Sequence, residues 1–189
     1  MKDINFFKSE DSLFFRKVKS KSETLKDDDC DGYFIEAPEK ECRRIIESLK
    51  GSGKLIGVLG LNNVFNRRAI ETLKIDYLVS PEFGSLPDTL KQRDSGLNHV
   101  LAKEAAKRNV KIVIDFGRIS KLEGKKKSLT ISKIIQNVKV CRKASCEIKI
   151  ASFGSDIKNL VDEKSRIAFG FSIGMSSVQS GNCVKFYKR

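Results

Sequence analysis

Three features of this 189-residue chain predict a parallel α/β fold. Apolar segments of strand length and segments of helical periodicity alternate about six times with short connections. Residues 111–116 alternate little and read as a strand covered on both faces, as parallel strands are. A hydrophobic content of 40% is enough to bury one sizeable core, and the simplest organisation is a single domain over residues 1–189. Pattern alone accommodates both a barrel and an open doubly wound sheet.

Taken in order, Ile4 to Phe7 reads as a short opening strand. Ser9-Glu10-Asp11-Ser12 is a polar helix start, so Leu13, Phe14, Phe15 and Val18 are expected on a helix. Arg16, Lys17, Lys19 and Lys21 form a basic run that serves either nucleic acid or plain solvation. Lys26-Asp27-Asp28-Asp29 is an acidic turn without the alternate carboxylate spacing of a calcium loop, and Gly32 to Ile35 follows as a strand. Pro38 opens a helix whose stripe of Cys42, Ile45, Ile46 and Leu49 ends at Gly51-Ser52-Gly53. The run Gly51-Ser52-Gly53-Lys54 is a turn and not a phosphate loop. A phosphate loop lies between a strand and a following helix, whereas here a helix precedes and the strand Leu55 to Leu61 follows.

After that strand come Asn62, Asn63, Asn66, Arg67 and Arg68, then a helix through Ala69, Ile70 and Leu73, then the strand Ile75 to Val79. That strand opens into Ser80-Pro81-Glu82 and a loop containing Gly84 and Pro87. The stretch Arg93 to Phe116 is loop, helix and strand in unbroken succession. Asp94 or Ser95 can cap the helix, Leu97, Val100, Leu101 and Ala105 give it an apolar face, and Asn109 offers a left-handed exit. His99, Lys103 and Lys107, four apart, fall on the opposite arc, while Glu104 and Arg108 support the helix in the favourable acid-then-base order. Gly124-Lys125-Lys126-Lys127 reads as a basic loop before a helix through Ile131, Ile134, Ile135, Val138 and Cys141. A strand from Glu147 to Ala151 opens into Ser152 to Asp156, and a last helix is expected from Arg166 to Ile173.

The charge points to a polyanionic partner. Lys and Arg total 37 against 24 Asp and Glu, a formal net charge of +13, which makes nucleic acid the first partner class. It is also uneven, with 13 basic and 3 acidic side chains in residues 103–143 against 8 and 11 in residues 1–41, so one side should be electropositive. The five cysteines, Cys30, Cys42, Cys141, Cys146 and Cys183, lack CxxC spacing and read as reduced thiols. No apolar run is long enough to span a bilayer and the start lacks a signal-peptide core, so a cytoplasmic protein with no membrane partner is expected.

Polar clusters at residues 62–68, 80–82, 115–118 and 152–156 each follow the carboxyl end of an expected strand, and the 93–99 loop continues from the second. In an α/β barrel such loops share one mouth. The run Arg93-Asp94-Ser95-Gly96-Leu97-Asn98-His99-Val100-Leu101-Ala102-Lys103, with the strand ending Asp115-Phe116, resembles the signature of the ribonuclease P protein component 3 family, archaeal relatives of the eukaryotic thirty-kilodalton subunit. Val58-Leu59-Gly60 leading to Phe65 to Glu71, and Ile75 to Glu82, resemble the same family in the same order, with a fainter match at Ser165 to Gly170.

The resemblance implies a compact, irregular TIM-like barrel related to the polymerase-and-histidinol-phosphatase (PHP) family. It also implies a subunit of the ribonuclease P ribonucleoprotein, which removes the 5′ leader from precursor tRNA. The implied partners are RNase P RNA, precursor tRNA and other protein subunits, notably a small ferredoxin-like one. Catalysis is then expected from the RNA, with magnesium on the RNA and no cofactor or metal on this chain. PHP relatives hold catalytic metals with several histidines and carboxylates; this chain has only His99, so a stand-alone phosphoesterase is the lesser alternative, beside a general RNA-binding protein. Because the arginine fork matches phosphate in two-point contact, Arg67, Arg68, Arg93 and Arg118 are the RNA-contact candidates near the expected mouth, with Lys103, Lys107, Arg108 and Arg166 elsewhere. His99 joins them, with orientation of the Arg93 loop as its other reading. No RRM-type aromatic signature occurs, so backbone and shape should be read more than bases.

Overall fold

The computed structural model describes residues 3–24, 29–84 and 94–187. Within these, seven strands form one sheet in which every neighbouring pair is parallel and spatial order equals chain order. They are β1 Asp3–Asn5, β2 Ser12–Val18, β3 Gly32–Ile35, β4 Leu55–Leu59, β5 Tyr77–Val79, β6 Lys111–Asp115 and β7 Ile148–Ala151. The sheet nearly closes on itself. Phe153 N donates to Ile4 O at 2.9 Å and Phe6 N to Gly154 O at 2.8 Å, which joins the end of β7 to β1. Of the two architectures the sequence allows, the barrel is the one formed.

The sequence-based expectation fails most clearly at residues 12–18, which form β2 and not a helix. The polar run before it resembles a helix cap, but Phe14, Phe15 and Val18 suit a pleated surface, and pairing with β1 on one side and β3 on the other overrides the local signal. As a strand the segment alternates. Leu13 and Phe15 join the barrel interior, while Val18 packs in the layer between sheet and helices.

The helices are α1 Glu39–Ser48, α2 Asn63–Thr72, α3 His99–Lys107, α4 Phe116–Ser120, α5 Gly124–Ala144, α6 Glu163–Ser172 and α7 Ser177–Asn182. Asn109 takes the expected left-handed exit from α3 at φ 58°. The α3 cap is Asn98, whose side chain accepts from Leu101 N at 2.8 Å, and neither Asp94 nor Ser95 fills that role. Val100, expected in the apolar face, is 78% exposed. Lys125, Lys126 and Lys127 lie in the first turn of the 21-residue α5 and not in a loop. The acidic turn at Lys26 to Asp28, Pro87 and Arg93 lie outside the described residues.

Two apolar cores result. Ile56, Val58, Leu78, Ile112 and Ile114 face outward beneath Leu101, Ala105 and Ile134 of the helices. Inside the barrel pack Ile4, Leu13, Phe15, Leu59, Val79 and Val113, with Phe186 against Tyr77 edge-to-face at 6.1 Å near the amino-terminal ends of the strands. Helices and sheet thus make β6 apolar on most positions, yet its inward set, Lys111, Val113 and Asp115, ends on a carboxylate at the opposite, carboxyl-terminal mouth.

Candidate nucleic-acid interface

The loops after β4, β5, β6 and β7 do meet at one end, as expected. Gly60 N donates to Val79 O at 2.7 Å, Ser80 N to Val113 O at 2.8 Å, and Asp115 N to Ser80 Oγ at 3.2 Å. The described part of the 94–99 loop, however, does not open onto the mouth. It is a latch between helices. Asp94 accepts from Asn63 Nδ2 at 2.8 Å and from Gly96 N at 3.0 Å, while Asn137 Nδ2 on α5 donates to Ser95 O at 3.0 Å. Gly96 has φ 73°, and a Cβ there would lie 2.1 Å from Pro81 O, so only glycine lets the two loops touch.

Asn66 is the centre of this latch. Fully buried, it accepts from Leu61 N at 2.9 Å and donates to Gly96 O at 3.1 Å, tying three loops together. Asn66→Ala strands a buried donor and a buried acceptor, so we expect a loss of about 2 kcal/mol in urea unfolding; a loss within error of zero would remove Asn66 from this role. The loop residues that carry the family signature therefore act mainly by shaping the backbone.

Arg67 and Arg68 lie on the outer side of α2, where Arg67 pairs with Glu71 at 2.8 Å and Arg68 with Glu39 at 2.9 Å. Arg43 shares Glu39 at 2.9 Å, and these guanidinium hydrogen bonds hold the Glu39 carboxyl below its usual range. Arg108 is engaged with Glu104 at 2.5 Å. Arg166 is a correction: its side chain is 2% exposed and held by Asp3 at 3.1 Å, Ile150 O at 3.0 Å and Val161 O at 3.1 Å, so it closes the barrel and cannot reach RNA. By contrast His99, Lys103 and Lys107 stand exposed along α3, with no ion pair among the described residues. Helix α3 packs on α5, whose Lys125, Lys126, Lys139 and Lys143 are exposed too, so the basic stretch 103–143 places exposed lysines on two neighbouring helices.

Of the eight candidates among the described residues, Arg118 is the one that lines the mouth. Its guanidinium lies 4.5 Å from the Phe83 ring centroid. The mouth holds a cavity of about 460 Å³. Lys17 and Glu36 reach it and pair at 2.5 Å, and Lys121 and Lys158 reach it from the loops after β6 and β7. Lys121 and Lys158 carry no signal in the sequence, and Lys17 stands there only as part of a basic run suited equally to nucleic acid or to solvation. On a helix Lys17 would share a face with Leu13 but lie opposite Phe15; on the strand that residues 12–18 form, all three point to the barrel interior, which carries Lys17 to the mouth.

Burial lifts the Asp115 carboxyl to about 6, offset by Arg118 N, which donates to its Oδ1 at 2.8 Å, and by nearby Arg118, Lys121 and Lys17. Burial lifts Glu82 further, to about 7, and the Asp115 charge adds to it. A hard divalent cation needs several convergent oxygens or imidazoles. Here the inward groups are a paired Glu36, an amide-bound Asp115 and the four cations Lys17, Arg118, Lys121 and Lys158, and no group of three or more His, Cys, Asp or Glu converges among the described residues. The donor set does not fit the metals of a PHP-type hydrolase.

Residues 35–189 match the model of the family described as RNase P subunit p30. Ribonuclease P protein component 3 of Methanococcus maripaludis strain C7 is 27% identical over 119 residues, covering 63% of this chain and 48% of the relative. The Methanocaldococcus jannaschii protein of the same name is 26% identical over 152 residues, covering 78% and 62%. The chain spans about half the length of most of the curated relatives it matches. A chain in the cryo-EM structure of archaeal ribonuclease P with mature tRNA superposes with a TM-score of 0.74 at 19% identity, covering 96% of this chain and 85% of that one. An amidohydrolase crystal structure superposes at 0.57 with 13% identity, covering 83% and 41%, a likeness of barrel architecture.

Proposed function

Because this chain belongs to the RNase P subunit p30 family, we propose that it is a protein subunit of ribonuclease P that supports removal of the 5′ leader from precursor tRNA. It does so by binding and stabilising the catalytic RNA. The observation that carries this reading is the array of exposed lysines on α3 and α5, Lys103 and Lys107 with Lys125, Lys126, Lys139 and Lys143, which make no ion pair among the described residues where Arg67, Arg68 and Arg108 are spent on glutamates. Cations without an internal partner release condensed counterions when they meet phosphate, which strengthens binding and makes it salt-dependent. Lysine supplies such charge without fixed geometry, suiting a shape-complementary contact with folded RNA.

The chain acts as one barrel domain, in the cytoplasm, holding no metal. No helix among the described residues is long and apolar enough to cross a membrane. RNase P RNA carries the magnesium and breaks the bond, and further protein subunits, a small ferredoxin-like one among them, complete the particle. Arg93 remains a proposed RNA contact.

The test is reconstitution with the RNA and the companion subunits. Lys103→Glu with Lys107→Glu should weaken RNA binding about tenfold, flatten its salt dependence and raise the magnesium needed for cleavage of precursor tRNA. Unchanged affinity and salt slope would exclude the α3 face. Purified protein without RNA should release no phosphate from a phosphoester with added manganese; chelator-sensitive release would favour the hydrolase reading instead.

A further inference from the structure

The α3–α5 face reads RNA from outside the barrel, but the mouth has a different chemistry. Its cavity, about 460 Å³, falls within the usual range for small-ligand pockets. Its floor is aromatic. Phe6, Phe34 and Phe153 pack with ring centroids 5.3 to 5.5 Å apart, and Phe6 is only half-buried. Phe153 sits in the left-handed region at φ 47°, a costly conformation for an aromatic residue. Two barrel-closing hydrogen bonds hold this arrangement, Phe153 N to Ile4 O and Phe6 N to Gly154 O.

The rim is cationic. Lys17, Arg118, Lys121 and Lys158 line it against the carboxylates of Glu36 and Asp115, leaving the cavity net positive. Lys17 is taken by Glu36, but Lys121 and Lys158 are exposed and make no ion pair among the described residues. An aromatic surface beneath unpaired ammonium groups is the combination that holds a single-stranded nucleotide: the ring stacks on the base and the cations meet its phosphate.

We propose that the barrel mouth binds one unstacked nucleotide of single-stranded RNA, with its base on Phe6 and its phosphate between Lys121 and Lys158. The inference deepens the RNA-binding reading and rests on it. A carboxylate-rich peptide would satisfy the two lysines but leave the aromatic floor without a stacking partner, so the nucleotide is the better fit.

The full chain is titrated with a short single-stranded RNA carrying 2-aminopurine, by fluorescence anisotropy and by quenching. The wild type should quench the probe on binding. Phe6→Leu, which keeps the apolar volume and removes the ring, should abolish the quenching and weaken binding about tenfold. Lys121→Glu with Lys158→Glu lies on exposed positions that do not endanger folding, and it should weaken binding and reduce the salt slope by about one to two. Affinity within about twofold of wild type for both variants, or no quenching by the wild type, would overturn the proposal. So would displacement of the probe by a polyglutamate peptide from a wild type that never quenched it. If the mouth variants bind normally while Lys103→Glu with Lys107→Glu does not, the mouth inference fails and the RNA-binding reading stands. If all the variants bind as wild type does, both fail.

Discussion

Arg166→Ala should destabilise the protein by about 3–5 kcal/mol, the cost of removing one partner of a buried ion pair. The loss is a large part of the stability of an ordinary domain. Asp3 Oδ1 accepts from Ser152 N and from Ile4 N, each at 2.8 Å, and faces Arg166 at 3.1 Å, so three segments converge on one oxygen. This is where the last strand meets the first. Burial pushes Asp3 above the ordinary carboxylate range and Arg166 below its own, and each charge partly relieves the other. Without the guanidinium, Asp3 is left as a buried carboxylate with neutral donors only, from Ile4 and Ser152. It must then protonate or admit water. Arg166→Met with Asp3→Asn should recover part of the loss, because no unpaired charge remains. Urea unfolding measures both, and a single-variant loss below about 1 kcal/mol would show that the barrel closes without this pair.

Glu82→Gln should stabilise the protein by about 3 kcal/mol at about pH 8, with the gain vanishing near pH 4. Glu82 is 4% exposed and its carboxyl is raised to about 7, first by burial and then by the charge of Asp115. A raised carboxyl favours the protonated form in the folded state. Its contribution is therefore fully present below the unfolded value near 4.5 and is lost as pH rises through about 7. The neutral amide removes that loss without altering the shape. Asp115, raised to about 6, gives a smaller trend of the same sign. Asp3 is raised as well, while the carboxylates of Glu39, Glu41, Glu104 and Asp162 are lowered by hydrogen bonds and run the opposite way, so the test is the difference between the two unfolding curves across pH. Parallel curves would show that Glu82 is as easily ionised in the folded protein as in the unfolded one.

Much of the architecture was legible because local chemistry and tertiary context agree there. The Cys42, Ile45 and Ile46 stripe of α1 is buried, and Asn109 turns where only a left-handed residue suffices. The strand calling for cover on both faces is β6, with helices outside and apolar side chains inside. Residues 12–18 were illegible because a polar run ahead of an apolar one suits either a helix or a strand, and the deciding hydrogen bonds come from residues 3–5 and 32–35. The three lysines at 125–127 were misplaced for a related reason. Lysine is a good helix former, so a run of them does not mark a loop.

The sequence by itself determined the parallel α/β class, the family and the stretch of chain in which positive charge gathers, since these follow from periodicity, motif and composition. Only the tertiary structure decided which cations are available to a partner. A charge is free or spent according to neighbours far away in the chain: Arg68 meets Glu39 29 residues off, and Arg166 meets Asp3 across the barrel seam. The same folding brings Lys17, Lys121 and Lys158 around one cavity. Coulombic attraction and desolvation depend on distance and burial in space, and neither is written in the linear spacing of residues.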